Sequence, residues 1–548
     1  MRRLWSALLV ACGFALIASV PHAQTNSPPQ DPDAVCASCH RQIYDSWKKT
    51  PMAHASGPAA EGFVPADFTH AASGVHYRIY LDKGQVWLSY ERPNAPPDRA
   101  LNGRQLLLFY LGSGRRGRTW LYEREGYWFE IPINWYAKKH IWDMTPHFLN
   151  TRAMPFTLPV DPGCLHCHAS DVAASLPDAR NHYAGLPFPH GGIYCSSCHG
   201  DASQHLAQHG RGPILNPARL DPIRRDSVCL ECHLEGEVVA IRQGRHLGAF
   251  KPGDNLFDYA VYFEDGRKAG AAGRATSQWE SLLESACKRA SGDRLTCTTC
   301  HDPHSAPSPE ERVSYYRARC LSCHAGLASG HHSSNPDCTS CHMPRQETQD
   351  IAHEQVTDHR IQIPSKPYAS PLSSAELVPV GGIHPSPRDE GIAWAQLGFR
   401  GDRAAGERAM KLLLEAEASD PAQASDAELH MELGFLEQAS GNRERARTEY
   451  EEALRADRFN ETAAGDLAVL DAQQGDFASA QPLWAAVFQH DPGASAAGID
   501  LAVAQCRLGQ PGAAAQTLHR VLLFSPDNET ARRLSLALDR GDSQCTKR

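Results

Sequence analysis

Cysteine pairs followed at once by histidine set the chemistry of this 548-residue chain. The pattern Cys-x-x-Cys-His occurs seven times, at Cys36/Cys39/His40, Cys164/Cys167/His168, Cys195/Cys198/His199, Cys229/Cys232/His233, Cys297/Cys300/His301, Cys320/Cys323/His324 and Cys338/Cys341/His342. Two thiols at this spacing can bond covalently to the two vinyl groups of a haem. The next imidazole then meets the iron as its proximal ligand, which is the attachment pattern of c-type haem. Structural zinc also uses Cys-x-x-Cys half-sites. A zinc ribbon has no need of histidine directly after the second cysteine, yet all seven pairs have one. Seven covalently attached haem c groups are expected, and no catalytic side chain is assigned.

A six-coordinate iron needs a second axial ligand, and the 28 histidines are more than the proximal positions use. The distal candidates are His54, His70, His205, His304, His332, His353 and His359, one for each haem. His54 has a rival in Met52, because a thioether also ligates haem iron. His70 is chosen over His147, at the two margins of a region without haem motifs. His205 lies six residues past His199, with His190 before Gly191-Gly192 as the alternative. Pro303 turns the chain between His301 and His304 and frees His304 to face a different haem. His332 is taken from the pair His331-His332, and His353 and His359 follow the last motif.

The elements that must position these groups fall into blocks. Met1-Arg2-Arg3, an apolar run from Leu4 to Val20 and small residues ending near Ala23 have the order of a secretory signal peptide. The run is short for a membrane span, and no later stretch is long enough for one. A mature protein that is periplasmic or otherwise exported is expected. The haem motifs occupy residues 31–365. Within that block, about 63–159, the motifs stop and period-two alternation takes over, as in Val75 to Leu81 and Gln85 to Tyr90 around an Asp82-Lys83-Gly84 turn. A β-rich insertion is expected there, and its Arg115, Arg116 and Arg118 could pair with haem propionates. The segment from Leu234 to Ala290 reads as a loop followed by a short helix. The motifs near 164, 195 and 229 are too close together for separate cores, so the porphyrins themselves must supply much of the apolar interior.

Residues 366–389 are rich in Pro, Ser and Gly and read as a linker. From 390 to 540 the composition turns to Ala, Leu, Glu and Arg, and a period of 34 appears: Leu433, Leu467, Leu501; Gly441, Gly475, Gly509; Ala446, Ala480, Ala514. That period with small residues at fixed offsets is the tetratricopeptide signature, two antiparallel helices per repeat. Stacked repeats bury their cores only against neighbours, so one curved solenoid is expected, with a concave face for a protein or peptide partner. The fold class is therefore mixed: a haem-packed, mostly helix-and-loop part with a small β module, then an all-α solenoid.

Of 18 cysteines, Cys287, Cys506 and Cys545 lie outside both the motifs and the signal, an odd remainder that argues against a disulfide framework. The formal charge of −9 gives no basic footprint for nucleic acid.

Residues 31–365 resemble the paired-motif multihaem cytochromes related to cytochrome c-554, in particular bacterial members carrying tetratricopeptide repeats. The matching residues are Cys36 to His40 with Tyr44, Trp47 and His54, Cys297 to His304, and Cys338 to Pro344 followed by Thr357-Asp358-His359. The resemblance implies bis-histidine haems, periplasmic electron transfer and redox partner proteins. The haem count departs from the four of the smallest relatives, so their pairing of ligands with haems does not carry over. The expected role is an electron carrier. A reductase or oxidase of a small nitrogen or sulfur compound, with one open iron, is the alternative.

Overall fold

The computed structural model describes residues 31–96, 99–177, 179–266, 277–327, 331, 335–345, 357–364 and 376–541. The signal segment 1–23, His332, His353, most of the expected linker and the side chains of Cys164 and His147 lie outside the described residues.

Alternating sequence becomes sheet between residues 56 and 159. The strands are β1 Ser56–Pro58, β2 Ala66–Thr69, β3 His76–Asp82, β4 Gln85–Glu91, β5 Asn102–Leu107, β6 Phe109–Leu111, β7 Gly117–Arg124, β8 Tyr127–Glu130, β9 Ile133–Tyr136, β10 Ile141–Met144 and β11 Leu158–Pro159. β2 to β5 form one antiparallel sheet in sequence order, and the other seven form a second sheet around β7. Lys83 and Gly84 both have positive φ, at 51° and 80°, as a two-residue turn between strands of right-handed twist requires. The single expected strand over 106–111 divides at Leu108: β5 pairs with β4, while β6 pairs with β7 in the other sheet. The two sheets share a core in which Tyr77, Ile79, Val86 and Leu88 meet Trp120, Tyr122, Phe129 and Ile131.

The segment 234–290 is more ordered than a loop with one helix. It contains β12 Val238–Ile241, β13 Ala260–Asp265 and two short helices, Gln278–Leu283 and Ala286–Ser291. The described end of the expected linker is also structured. β14, Leu377–Pro379, pairs with β13, and a helix starts at Pro387 behind a Ser386/Asp389 capping box. Proline at the first helical position favours this start, so the Pro-rich composition marks caps here rather than slack chain.

Four helical hairpins follow: Pro387–Phe399 with Arg403–Ser419, Ala427–Ala439 with Arg443–Ala456, Glu461–Gln473 with Phe477–His490, and Ser495–Arg507 with Pro511–Phe524. Helix Glu529–Asp539 closes the array. Gly401, Gly441, Gly475 and Gly509 sit between the two helices of each hairpin at φ 93°, 83°, 83° and 74°, the left-handed conformation that ends a helix cheaply only at glycine. Cys506 is disulfide-bonded, contrary to its expectation as a lone buried thiol.

The array is fastened at both ends. At its start, Ile392, Ala393 and Leu397 share a core with Val238, Ala240, Val261 and Phe263, and Arg242 pairs with Asp389 at 3.0 Å. At its far end Phe524 enters the core between the two sheets, and Arg92 pairs with Asp527. In between, Arg180 pairs with Asp491, and the Tyr127 hydroxyl donates to the Gln489 carbonyl at 2.9 Å.

Candidate functional site

Each attachment motif has the spacing i, i+3, i+4, which on a helix puts both thiols and the imidazole on one face. Local sequence makes that helix. Thr296 and Thr299 form a capping box on Cys297–Cys300, Asp337 caps Cys338–His342, and Asp221 with Pro222 starts the helix Pro222–His233 that ends in the fourth motif. Ser196–His199 and Pro162–His166 are the corresponding turns of the third and second motifs.

Six motifs open onto one cavity of about 3060 Å³. Its walls include Cys167, Cys198, Cys229, Cys232, Cys297, Cys300, Cys320, Cys323, Cys338 and Cys341 with the following histidines, and apolar side chains such as Leu230, Ile241, Tyr262 and Trp279. The walls combine thiols, imidazoles and apolar surface, which suits a large flat apolar group held by thioethers and an axial nitrogen.

Cysteines of different motifs meet. Cys36, Cys195 and the Asp33 carboxylate lie within 4.8 Å of one another, and Asp33 accepts the Cys195 N–H at 3.0 Å. Side-chain contacts join Cys167 to Cys232, Cys229 to Cys297 and Cys320 to Cys338. Burial pushes the thiols of Cys198 and Cys320 up to about 11, so both are protonated at neutral pH.

Four pairs of histidine rings face one another: His40 and His205 with centroids 6.5 Å apart, His199 and His304 at 6.0 Å, His301 and His359 at 6.3 Å, and His331 and His342 at 5.9 Å. Two axial nitrogens each about 2 Å from one iron would separate ring centroids by about 6 Å. The remaining ring nitrogen is occupied to match. The Nδ1 atoms of His199, His205, His342 and His359 lie 2.9, 3.0, 2.7 and 2.8 Å from the carbonyl oxygens of Leu215, Gly212, Gln362 and Thr357. Each Nδ1 must therefore carry the hydrogen, which leaves Nε2 as a lone pair directed elsewhere, the arrangement that orients a ligating imidazole. Burial, with the charges of His359 and His233 beside it, lowers His301 to about 4, and burial lowers His233 and His359 as well. These rings are neutral, the form that coordinates metal.

The structure brings His205, His304 and His359 opposite proximal histidines, but it treats two other distal candidates differently. His70 is buried, with Nδ1 2.9 Å from the Ser73 hydroxyl and Nε2 3.0 Å from the Leu149 carbonyl, so both nitrogens are consumed inside the β region. His54 bonds through Nε2 to the Lys48 carbonyl at 2.7 Å, the reverse of the orientation found in the paired rings, and its ring is exposed. In the pair His331-His332, it is His331 that faces His342. Adjacent histidines are equivalent to spacing arguments, and only the chain path separates them. Of the basic cluster, Arg118 is spent on the Gly112 and Ser113 carbonyls and on the face of Tyr110, whereas Arg116 lines the cavity.

The family model described as doubled CXXCH motif matches residues 289–329, that of cytochrome c554 and c-prime matches 35–63, and that of the tetratricopeptide repeat matches 471–538. A curated relative, multiheme cytochrome MtrA of Shewanella baltica (strain OS185), is 22% identical over 173 residues, covering 30% of this chain and 52% of the relative. The chain therefore spans about half the length of the curated relative it matches. Solved structures similar to part of the chain include a tetratricopeptide repeat protein from Parabacteroides merdae ATCC 43184 (20% identity, 30% of this chain, 63% of that one, TM-score 0.26). Others are pilF of Pseudomonas aeruginosa (22%, 28%, 71%, 0.25) and MamA (16%, 26%, 77%, 0.23).

Proposed function

From the premise that this chain is a multihaem c-type cytochrome with tetratricopeptide repeats, we propose that it is an exported seven-haem electron carrier. Its single electrons pass between redox partner proteins, and its repeat array docks a protein or peptide. The observation that carries this reading is the set of facing imidazole pairs at 5.9 to 6.5 Å around a cavity walled by six attachment motifs. Haem c, when bound, supplies reversible one-electron iron chemistry whose potential follows axial ligand, burial and hydrogen bonding. The chain's part is to hold the sites close together, keep the axial imidazoles neutral and aimed, and exclude water with residues such as Leu230 and Trp279.

In this assignment the fourteen motif cysteines attach haem and His40, His168, His199, His233, His301, His324 and His342 are proximal ligands. His205, His304, His331 and His359 are the distal ligands supported by ring geometry. Export is supported by the Met1 to Ala23 sequence order, and no described helix is long and apolar enough to cross a membrane.

The deciding experiment is pyridine haemochrome quantification with low-temperature electron paramagnetic resonance of the oxidised protein. Seven haems per chain, all low-spin, is the expected result. A high-spin haem that responds to nitrite, hydroxylamine or sulfite would replace the carrier by a reductase or oxidase with an open iron.

A further inference from the structure

We propose that the attachment sites form a branched network rather than a single file, with the Cys229–His233 site as its junction and the Cys164–His168 site as a side arm. The proposal rests on the multihaem reading above and adds the connectivity among its sites.

Sulfur contacts trace the connections. The first site meets the third through Cys36 and Cys195. The fourth meets the second through Cys167 and Cys232, the fifth through Cys229 and Cys297, and lies within electrostatic reach of the third through Cys232 and Cys198. The fifth and sixth approach each other at Cys300 and Cys320, and the sixth meets the seventh through Cys320 and Cys338. A through-line therefore runs first, third, fourth, fifth, sixth, seventh, and the second site is reached from the fourth.

Ring pairs give independent support. His40 with His205 ties the first site to the flank of the third, His199 with His304 ties the third to the flank of the fifth, and His301 with His359 ties the fifth to the flank of the seventh. None of these cross-ties includes His168. Exposure agrees with where the line ends: Cys39, Cys323 and Cys341 are the exposed motif cysteines among the described residues, and they belong to the first, sixth and seventh sites.

The side arm has its own surroundings. Leu165 and Ala169 pack with Phe109, Leu111 and Trp128 of the seven-stranded sheet. Its one other tie to the line is a hydroxyl contact, Ser170 to Ser197 at 2.6 Å, between motif backbones rather than between haem-bonding atoms. The β module thus stands beside a dead end of the network, where electrons can be stored or delivered without interrupting the line.

The test uses the full-length, haem-loaded protein with His168→Met and His233→Met, which keep an axial ligand but raise the potential of one haem. Haem stoichiometry is measured first: fewer than seven per chain counts against the multihaem reading itself. With seven present, stepwise reduction is followed by electron paramagnetic resonance, counting how many other haems change signal or midpoint. The expected result is one responding neighbour for His168→Met and three for His233→Met. Two or more neighbours for His168→Met, or fewer than three for His233→Met, would overturn the branch. If His233→Met does not accumulate, the His168→Met count alone decides.

Discussion

Arg92 and Asp527, 435 residues apart in sequence, form a two-pronged ion pair: Nη1 to Oδ1 at 2.7 Å and Nη2 to Oδ2 at 2.6 Å, with Oδ2 also accepting the Met154 N–H at 2.7 Å. The side chains are only 8% and 2% exposed, and Phe524 from the same repeat lies in the β core. The pair therefore fixes the last repeat onto the sheets. Removing one partner of such a pair strands a buried charge, at a cost of roughly 3–5 kcal/mol. Arg92→Ala is expected to lose amide-exchange protection across 524–532 and in β4 together. Unchanged protection would mean that the array end is held by Phe524 packing alone.

Distal ligation predicts a contrast among histidines. His205→Ala, His304→Ala and His359→Ala should each convert one haem from low to high spin, because each ring stands about one iron's width from a proximal ring. His70→Ala should leave the haem spectrum unchanged while destabilising the β region by roughly 1–3 kcal/mol, since it orphans the Leu149 carbonyl and the Ser73 hydroxyl. A spin change in His70→Ala, or none in His304→Ala, would reverse these roles.

The motifs were legible because their chemistry is local: thiols and imidazole must sit at i, i+3 and i+4 wherever the chain goes. The repeats were legible for the same reason, since Gly441, Gly475 and Gly509 each end a helix within one hairpin. The distal set depends on which ring nitrogen is left over after hydrogen bonding. No spacing rule distinguishes His205, tied through Nδ1, from His54, tied through Nε2. β12 and β13 escaped notice because they are buried without alternation: every residue of Ala260–Asp265 is buried, and a short apolar run has no period to read. Nor does composition foretell that a Pro-rich stretch will supply β14 and a helix cap.

Gly434 tests packing within the array. A Cβ there would stand 2.6 Å from the Tyr450 ring, which is itself fully buried and fixed by its hydroxyl on Gln438 at 2.9 Å. Gly434→Ala gains helix propensity of about 1 kcal/mol but must displace that ring, with overpacking costing roughly 1–3 kcal/mol. The expected net effect is a lower thermal midpoint, measured by far-ultraviolet circular dichroism. A higher midpoint would show that Tyr450 can move aside without loss.

Glu432, on the same helix, is 4% exposed, and its Oε2 has no hydrogen-bond partner. Burial, reinforced by the Glu428 charge, raises its carboxyl from the ordinary 4.5 to about 8. Between those values the folded chain holds a proton that the unfolded chain has released, so stability falls as pH rises through this window. Glu432→Gln keeps the shape and removes the ionisation. It should leave stability near pH 5 almost unchanged and raise it near pH 8.5 by roughly 1–3 kcal/mol, the scale of an unsatisfied buried polar group. Denaturant unfolding at the two pH values decides the matter: parallel pH dependence in parent and variant would place the titrating group elsewhere, whereas a flatter profile in the variant assigns it to Glu432.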